Sequence, residues 1–235
     1  MFKLNLKIAW RNLWKNKGYT LINILGLSIG MASCILIFIF IRYQTSFDQG
    51  FKNEDRIYRL NTNWTSRDGF EESQGVAKPA ADALRNDFKN QIEKVSSIRQ
   101  DGGIIKVKDD AGKERIKSLE DVFYADPEFF QIMNFEWLQG NPIQSLSQPN
   151  TVVLSKEMAN KLFGNWNNAV GKTINFQNRE NFTVTGILQD MPDNTSFPIN
   201  IVVSYQTFRS YKDFNFKDWT STSSNDECYF LLKKG

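Results

Sequence analysis

The chain has 235 residues, 41% hydrophobic and 23% charged, enough for a membrane-spanning segment and one or two compact domains. Its formal net charge is only +3, but residues 1–43 carry six basic residues and no acidic one, which leaves 23 basic and 26 acidic residues elsewhere. A basic start beside an apolar run is typical of membrane proteins, whereas nucleic-acid binders usually carry basic clusters in the folded body. We therefore expect no nucleic-acid partner.

Histidine is absent from the sequence, which removes the commonest metal ligand and the commonest general base. A zinc-protease motif and a Ser-His-Asp triad are thereby excluded. The carboxylate pairs Glu71-Glu72 and Asp109-Asp110 fit solvated turns better than acid–base chemistry. Cys34 and Cys228 are expected in different environments, which argues against a disulfide between them. We predict no catalytic residue, no metal site and no cofactor.

A basic amphipathic segment opens the chain. Its cations recur every four residues beside an apolar stripe that contains two tryptophans, a pattern typical of a helix lying in the membrane interface. We predict such a helix over residues 1–18, with contacts to membrane lipids. The predicted interface and topology residues are Lys3, Lys7, Trp10, Arg11, Trp14, Lys15 and Lys17.

An uncharged run over residues 18–41 follows. At 1.5 Å per residue it would form a helix about 36 Å long, against a hydrocarbon core of about 30 Å. We predict a transmembrane helix over residues 19–43, with Tyr19 and Tyr43 at the two interfaces. No small-residue cleavage site follows Ile41, so a cleaved signal peptide is disfavoured. The positive-inside rule places the basic start in the cytoplasm and the body outside.

Small residues mark one face of this segment. Gly26, Gly30 and Cys34 are spaced four apart, so they share a helix face that lets another helix approach closely. We predict helix packing there; the alternative is that glycine is simply common in membrane helices.

The body, residues 44–235, alternates strand-like and helix-like segments, which favours a mixed α+β fold over a parallel βαβ sheet. Helices are predicted after Pro79, after Asp126 with that residue as the cap, and from Ser155 to Gly164. Alternating or apolar runs predict strands over residues 56–64, 95–99, 104–108, 122–125, 151–154, 172–177, 182–188, 199–203 and 228–232.

Two further features of the body have alternative interpretations. Gly171-Lys172-Thr173 ends like a phosphate-binding P-loop, but Trp166 stands where the first glycine is required and a helix precedes it, so we interpret it as a turn entering a strand. The aromatic residues of the polar stretch 208–219 fit either the core or an exposed contact patch. They are Phe208, Tyr211, Phe214, Phe216 and Trp219.

Several segments, taken in order, resemble the MacB/FtsX-type permeases of ABC transporters, in the version abundant in Bacteroidetes. The start reads IAWRNLWKNK at residues 8–17 and NILGLSIG at residues 23–30, and NEDRIYR follows at residues 53–59. Further similar segments are residues 47–48, 125–130, 138–142, 149–155, 171–174 and 182–187. Each segment alone is unspecific, but their order along the whole chain is characteristic.

The resemblance implies a dimeric inner-membrane permease that works with a cytoplasmic ATPase. ATP-driven closure of that partner would move the periplasmic domains for efflux, lipoprotein extraction or control of a cell-wall enzyme. A periplasmic adaptor or a cell-wall enzyme is an additional expected partner. Within a MacB-like periplasmic domain over 44–235, the resemblance implies an inserted subdomain at 102–178 and a membrane-proximal subdomain formed by 46–101 and 179–235. The family continues into three more transmembrane helices, so we expect this chain to be a fragment.

Two other functions are compatible with the residues alone. A single-span sensor or ligand-binding module is the main alternative, although such a protein usually has a cytoplasmic output domain and only about 18 residues precede the apolar run here. A membrane-anchored enzyme is disfavoured by the lack of histidine and of a convergent nucleophile–base set.

Overall fold

The structure, a computed structural model, describes residues 2–47, 51–66, 69–108, 112–192 and 194–234. The chain divides into two compact units, Met1–Asp48 and Gln49–Gly235. The first unit is helical and the second contains every strand of the described residues.

Two helices form the first unit. Helix α1 (Phe2–Lys15) and helix α2 (Lys17–Gln44) are separated by Asn16, whose backbone is not helical (φ −113°, ψ 56°). Helix α2 has 28 residues, about 42 Å at 1.5 Å per residue, and is long and apolar enough to cross a membrane. None of its residues is buried within the chain, as expected for a helix whose surroundings are lipid or other helices.

The described residues of the second unit form seventeen helices and strands after α2. The helices are α3 (Ala80–Asp87), α4 (Glu128–Met133), α5 (Lys156–Phe163) and α6 (Tyr205–Arg209). The strands are β1 (Ile57–Leu60), β2 (Thr62–Ser66), β3 (Gly69–Ser73), β4 (Val76–Ala77), β5 (Ile92–Lys108), β6 (Glu114–Ala125), β7 (Trp137–Gln139), β8 (Thr151–Ser155), β9 (Thr173–Phe176), β10 (Glu180–Leu188), β11 (Ile201–Ser204), β12 (Thr222–Ser223) and β13 (Asp226–Leu232). Short 3-10 turns lie at Glu54–Arg56 and Trp166–Asn168.

Nine strands form one mixed sheet in the order β1-β13-β5-β6-β11-β8-β10-β7, with β9 joining β10 to β5. Two pairs are parallel, β6 with β11 and β8 with β10, and the other pairs are antiparallel. The predicted class, an N-terminal apolar helix followed by a mixed α+β domain, is confirmed.

Part of this sheet closes on itself. Strands β5, β6, β11, β8, β10 and β9 pair in succession, and β9 returns to β5 through the pairs Ile105↔Phe176 and Lys106↔Asn175. The N–H of Gln177 extends the closure by donating to the carbonyl of Ile104 (2.8 Å). The result is a six-stranded barrel-like ring, which leaves these strands without a free edge between them.

Alternate residues of the ring strands fill two different cores. Val122, Val152 and Val203 face one core, which α5 helps to cover, whereas Phe123, Val153 and Val202 face another beneath α4. Successive side chains of a strand point to opposite faces, so these strands are buried on both faces. A third, smaller cluster packs α3 and β4 against β5 and β13.

Local sequence signals predicted helix α5 correctly. The hydroxyl of Ser155 accepts from the N–H of Met158 (3.1 Å), and Gly164 ends the helix with φ +81°. This left-handed backbone suits glycine because it has no Cβ. The predicted cap of α4 is wrong: Asp126 makes no capping bond, because its carboxylate instead accepts from the N–H of Ser97 (2.9 Å) and pairs with Arg85.

Several predicted strand bounds also differ. The strand predicted over 56–64 is interrupted at Asn61, and the two strands predicted over 95–99 and 104–108 are one strand, β5, of 17 residues. The backbone stays extended at Gly102 and Gly103, so these two glycines do not interrupt β5. Strand β6 begins at Glu114, eight residues before the predicted start, because its first half pairs with the second half of β5.

Candidate functional site

A break in the helical backbone at Asn16 separates α1 from α2. The hydroxyl of Thr20 donates to the carbonyl of Leu13 (3.0 Å), one of the acceptors that the break at Asn16 leaves without its helical partner. The ammonium of Lys17 lies 5.3 Å from the ring centre of Trp14, a cation–π distance. Between the helices lies an apolar groove of about 440 Å³, lined by Trp10, Leu13, Trp14, Lys17, Thr20, Leu21 and Ile24.

The predicted interface residues lie on α1 or at the start of α2. Trp10 and Trp14 are 66% and 63% exposed within the chain, and Lys7, Arg11, Lys15 and Lys17 are exposed as well. The backbone of Lys3 lies in α1, but its side chain is outside the described part of the structure. The contact of these residues with lipid stays a prediction.

The predicted packing face lies along α2. Gly26, Gly30 and Cys34 are exposed, and a Cβ placed on either glycine would meet no other atom of the chain within 4 Å. This face is therefore open to a neighbouring helix, and the packing itself stays a prediction.

A cluster of ion pairs joins α3 and α6 to the sheet, and sequence reasoning did not anticipate it. Arg209 binds the carboxylate of Asp82 with both terminal nitrogens (2.9 and 3.0 Å), and Arg85 bridges Asp82 (2.7 Å) to Asp126. Burial alone would raise the pKa of Asp82, but the hydrogen bond and charge of Arg209, with the charge of Arg85, lower it below its usual value. The cluster therefore keeps Asp82 ionised in neutral solution.

A second, more deeply buried group lies beside it. Asp226 accepts from Arg99 (2.8 Å) and lies 3.2 Å from the ammonium of Lys78, and all three side chains are nearly buried. The Arg99 guanidinium is 4.8 Å from the ring centre of Phe208 and 5.2 Å from that of Phe214. These contacts join α6 and the irregular segment that follows it to strands β5 and β13.

The aromatic stretch 208–219 is thereby assigned largely to the core. Phe208 is 1% exposed, and Tyr211, Phe214 and Phe216 are partly buried against the ring interior. The hydroxyl groups of Tyr124 and Tyr211 lie 3.2 Å apart, and burial raises the pKa of Tyr124 above its usual range. Trp219, 58% exposed, is the member that matches the alternative of an exposed patch.

The turn predicted at Gly171-Lys172-Thr173 is confirmed. Gly171 has φ +85°, its N–H donates to the carbonyl of Val184 (2.8 Å), and β9 begins at Thr173. A P-loop requires a following helix whose N-terminus faces the phosphates, and here a strand follows. Among the described residues, no group of three or more Cys, Asp or Glu side chains is placed to hold a metal ion.

Comparison with known proteins agrees with this fold. The MacB-like periplasmic core domain family matches residues 20–235. The chain is similar to a domain of a permease protein from Porphyromonas gingivalis, with 18% identity, a TM-score of 0.64, and coverage of 80% of this chain and 77% of that one. No curated protein matches the chain.

Two other solved structures share the fold. The periplasmic region of MacB from Actinobacillus actinomycetemcomitans matches with 18% identity and a TM-score of 0.53, over 77% of this chain and 75% of that one. The extracellular domain of the ABC-type transporter YknZ from Gram-positive bacteria matches with 11% identity and a TM-score of 0.50, over 76% of this chain and 83% of that one. Because the family match covers nearly the whole sequence, the resemblance found in the sequence is confirmed, and this chain belongs to the MacB-like periplasmic core domain family of ABC transporter permeases.

Proposed function

We propose that this chain is a permease subunit that couples ATP hydrolysis on a separate cytoplasmic ATPase to movement of its periplasmic domain. The observation that supports this most directly is that one family match extends over α2 and the folded domain together, residues 20–235. A helix able to cross a membrane and a domain of this family are therefore parts of one functional unit. Export and the mechanical control of a periplasmic partner are the two outputs open to such a subunit.

The proposed orientation has the N-terminus in the cytoplasm and the domain in the periplasm of the inner membrane. The supporting observation is the charge of the first unit: Lys7, Arg11 and Lys15 precede α2, Lys17 begins it, and no acidic residue occurs up to Phe47. Basic residues close to a membrane helix favour the cytoplasmic side. Replacing Lys3, Lys7, Arg11, Lys15 and Lys17 together with glutamine should reduce the fraction of domains that reach the periplasm, measured by protease access in spheroplasts.

Dimerisation and packing with other membrane helices are proposed to use the Gly26, Gly30 and Cys34 face. The support is that this face is open in the structure and has the close spacing that interhelical contacts require. The proposed division of the domain is an inserted subdomain over 102–178 and a membrane-proximal part over 46–101 and 179–235. An adaptor or a cell-wall enzyme would contact the periplasmic domain in this arrangement.

Co-purification from native membranes tests the function. A tagged protein, solubilised in mild detergent, should bring down an ATPase with a complete P-loop and a second, differently tagged copy of itself. The ATPase activity of that complex should change when the periplasmic domain is crosslinked internally. Recovery of a monomer without any ATPase would contradict the proposal and favour the single-span sensor or ligand-binding module.

A further inference from the structure

A polar cleft lies where the C-terminal end of β5 and the N-terminal end of β6 meet β9 and the last turn of α5. Its volume is about 870 Å³, and among the residues that the structure describes, Lys106, Lys108, Arg115 and Lys172 line it together with one carboxylate, Glu114. Gly171 and Thr173, from the turn that resembles the end of a P-loop, line it as well. A volume of this order is within the range of clefts that hold small molecules, about 300–1,000 Å³.

The charge of this cleft differs from that of the domain around it. The chain beyond residue 43 has 23 basic and 26 acidic residues, whereas the described residues that line the cleft include four cations and one carboxylate. Glu114 is already paired with Lys106 (2.9 Å). Lys108, Arg115 and Lys172 form no ion pair with any residue that the structure describes, so their charge is available to a ligand.

Two of these cations, Arg115 and Lys172, are held in place by contacts that do not neutralise their charge. Arg115 donates a long hydrogen bond to the carbonyl of Phe163 (3.5 Å), and the ammonium of Lys172 lies 5.2 Å from the centre of the Phe163 ring. Both interactions leave most N–H donors of the two side chains unused.

The neutral side chains of the cleft add further donors. Asn181 accepts at Oδ1 from Nδ2 of Asn175 (2.9 Å), and its own Nδ2 donates to no residue that the structure describes. Asn178 and Thr173 also line the cleft. A lining of cations, amide N–H groups and a hydroxyl requires acceptor atoms on the ligand.

We propose that this cleft binds a small, multiply charged anion whose charge is carried by carboxylate or phosphate groups. Lys108, Arg115 and Lys172 supply the opposing charge, and Thr173, Asn178 and Asn181 orient the ligand. This site is additional to the permease function and does not depend on it.

Calorimetric titration of the full chain in detergent tests the site, with citrate, pyrophosphate and the neutral sugar maltotriose as probes. Citrate or pyrophosphate should bind with a dissociation constant below about 1 mM, and maltotriose should not bind. Whichever anion binds more tightly identifies the preferred acidic group. Each of Lys108→Gln, Arg115→Gln and Lys172→Gln should weaken binding about two- to fivefold, and the triple variant roughly ten- to a hundredfold.

The matched control is the triple variant Lys52→Gln, Lys212→Gln and Lys217→Gln, which removes the same charge from exposed lysines outside the cleft. It should bind the anion as the wild type does. Equal weakening in both triple variants would show a general charge effect and overturn the proposal. Binding of a hexaglutamate peptide without binding of citrate or pyrophosphate would also overturn it, in favour of an acidic protein segment, as would the absence of binding by every anion tested.

Discussion

The guanidinium of Arg56 donates a hydrogen bond of 2.6 Å to the carbonyl oxygen of Leu232. The same side chain pairs with Glu93 (3.1 Å) and donates to Asn53 (2.9 Å). Arg56 directly precedes β1, the first strand after α2, whereas Leu232 ends β13 and Glu93 is the second residue of β5. One side chain therefore joins the start of β1 to β13, its neighbour in the sheet, and to β5, the next strand, so a displacement of β1 would act on both.

Replacing Arg56 with alanine should destabilise the domain by about 1.5–3 kcal/mol, because a largely buried charged donor to a backbone carbonyl is lost. For a domain of this size the melting temperature should fall by roughly 3–12 °C, measured by circular dichroism in mild detergent. Arg59→Ala is the control, since Arg59 is exposed and its hydrogen bonds go to exposed side chains. Equal losses in the two variants would show that the bond to Leu232 has no special role.

Gly103 lies where β5 closes against β9 in the six-stranded ring, and the structure leaves no space for a side chain there. A Cβ on Gly103 would lie 2.3 Å from the Phe176 ring, whereas a Cβ on Gly102 would meet Asp121 at an ordinary 3.8 Å. Gly103→Ala should therefore force β9 away from β5 and cost about 1–3 kcal/mol through overpacking. Gly102→Ala should be neutral or stabilising by up to about 1 kcal/mol, because glycine within a strand is unfavourable.

Chemical denaturation of the two alanine variants checks this pair. Hydrogen exchange should also be faster at the N–H of Gln177 in Gly103→Ala, since that group donates across the closure to Ile104. Similar stability in the two variants would mean that Phe176 moves aside without cost.

Features encoded over a few residues were predictable from the sequence, and features assembled over long separations were not. The α5 cap at Ser155 and its end at Gly164 depend on contacts within three or four residues. Asp126 has the same local signal for a cap, but Arg85, 41 residues away, takes its carboxylate. Local propensity cannot foresee such a tertiary partner.

The difference between local and long-range features also explains which candidate sites could be predicted from the sequence. Periodicity and charge located α1 and α2, because each helix is one continuous segment. The polar cleft collects Lys108, Arg115 and Lys172 from β5, β6 and the turn before β9, and the pairing of β5 with both β6 and β9 brings these segments together. The sequence contained one visible signal for it, the turn at Gly171, which was correctly interpreted as a turn and gave no information about its neighbours.

The Asp82 cluster predicts a specific dependence of stability on pH. Since the pKa of Asp82 is lowered in the folded state, its ion pairs stabilise the protein above the unfolded pKa of about 3.9. That contribution is lost as the pH falls through the folded pKa. Because the Asp82 side chain is 44% exposed, solvent screening limits it to about 1 kcal/mol or less.

Asp82→Asn should therefore lower the melting temperature at pH 7, and the difference from wild type should shrink as the pH is reduced below about 4. Asp87→Asn, on the same helix but exposed, should be neutral or slightly stabilising, because a carboxylate near a helix C-terminus is unfavourable. A difference between Asp82→Asn and wild type that stays constant down to pH 3 would exclude the ion pairs as its cause.

The open face of α2 leads to a prediction about assembly. Replacing Gly26 and Gly30 with isoleucine should push a neighbouring helix outward and weaken association at least about fivefold, since close approach of backbones is lost. The double variant Ser28→Ile and Ala32→Ile adds comparable bulk at the same spacing, roughly 200° further round the helix, and should assemble normally. Co-purification of two differently tagged copies and crosslinking in native membranes measure the association. If the two double variants associate equally well, the surface with Gly26 and Gly30 contacts lipid, and dimerisation uses another surface.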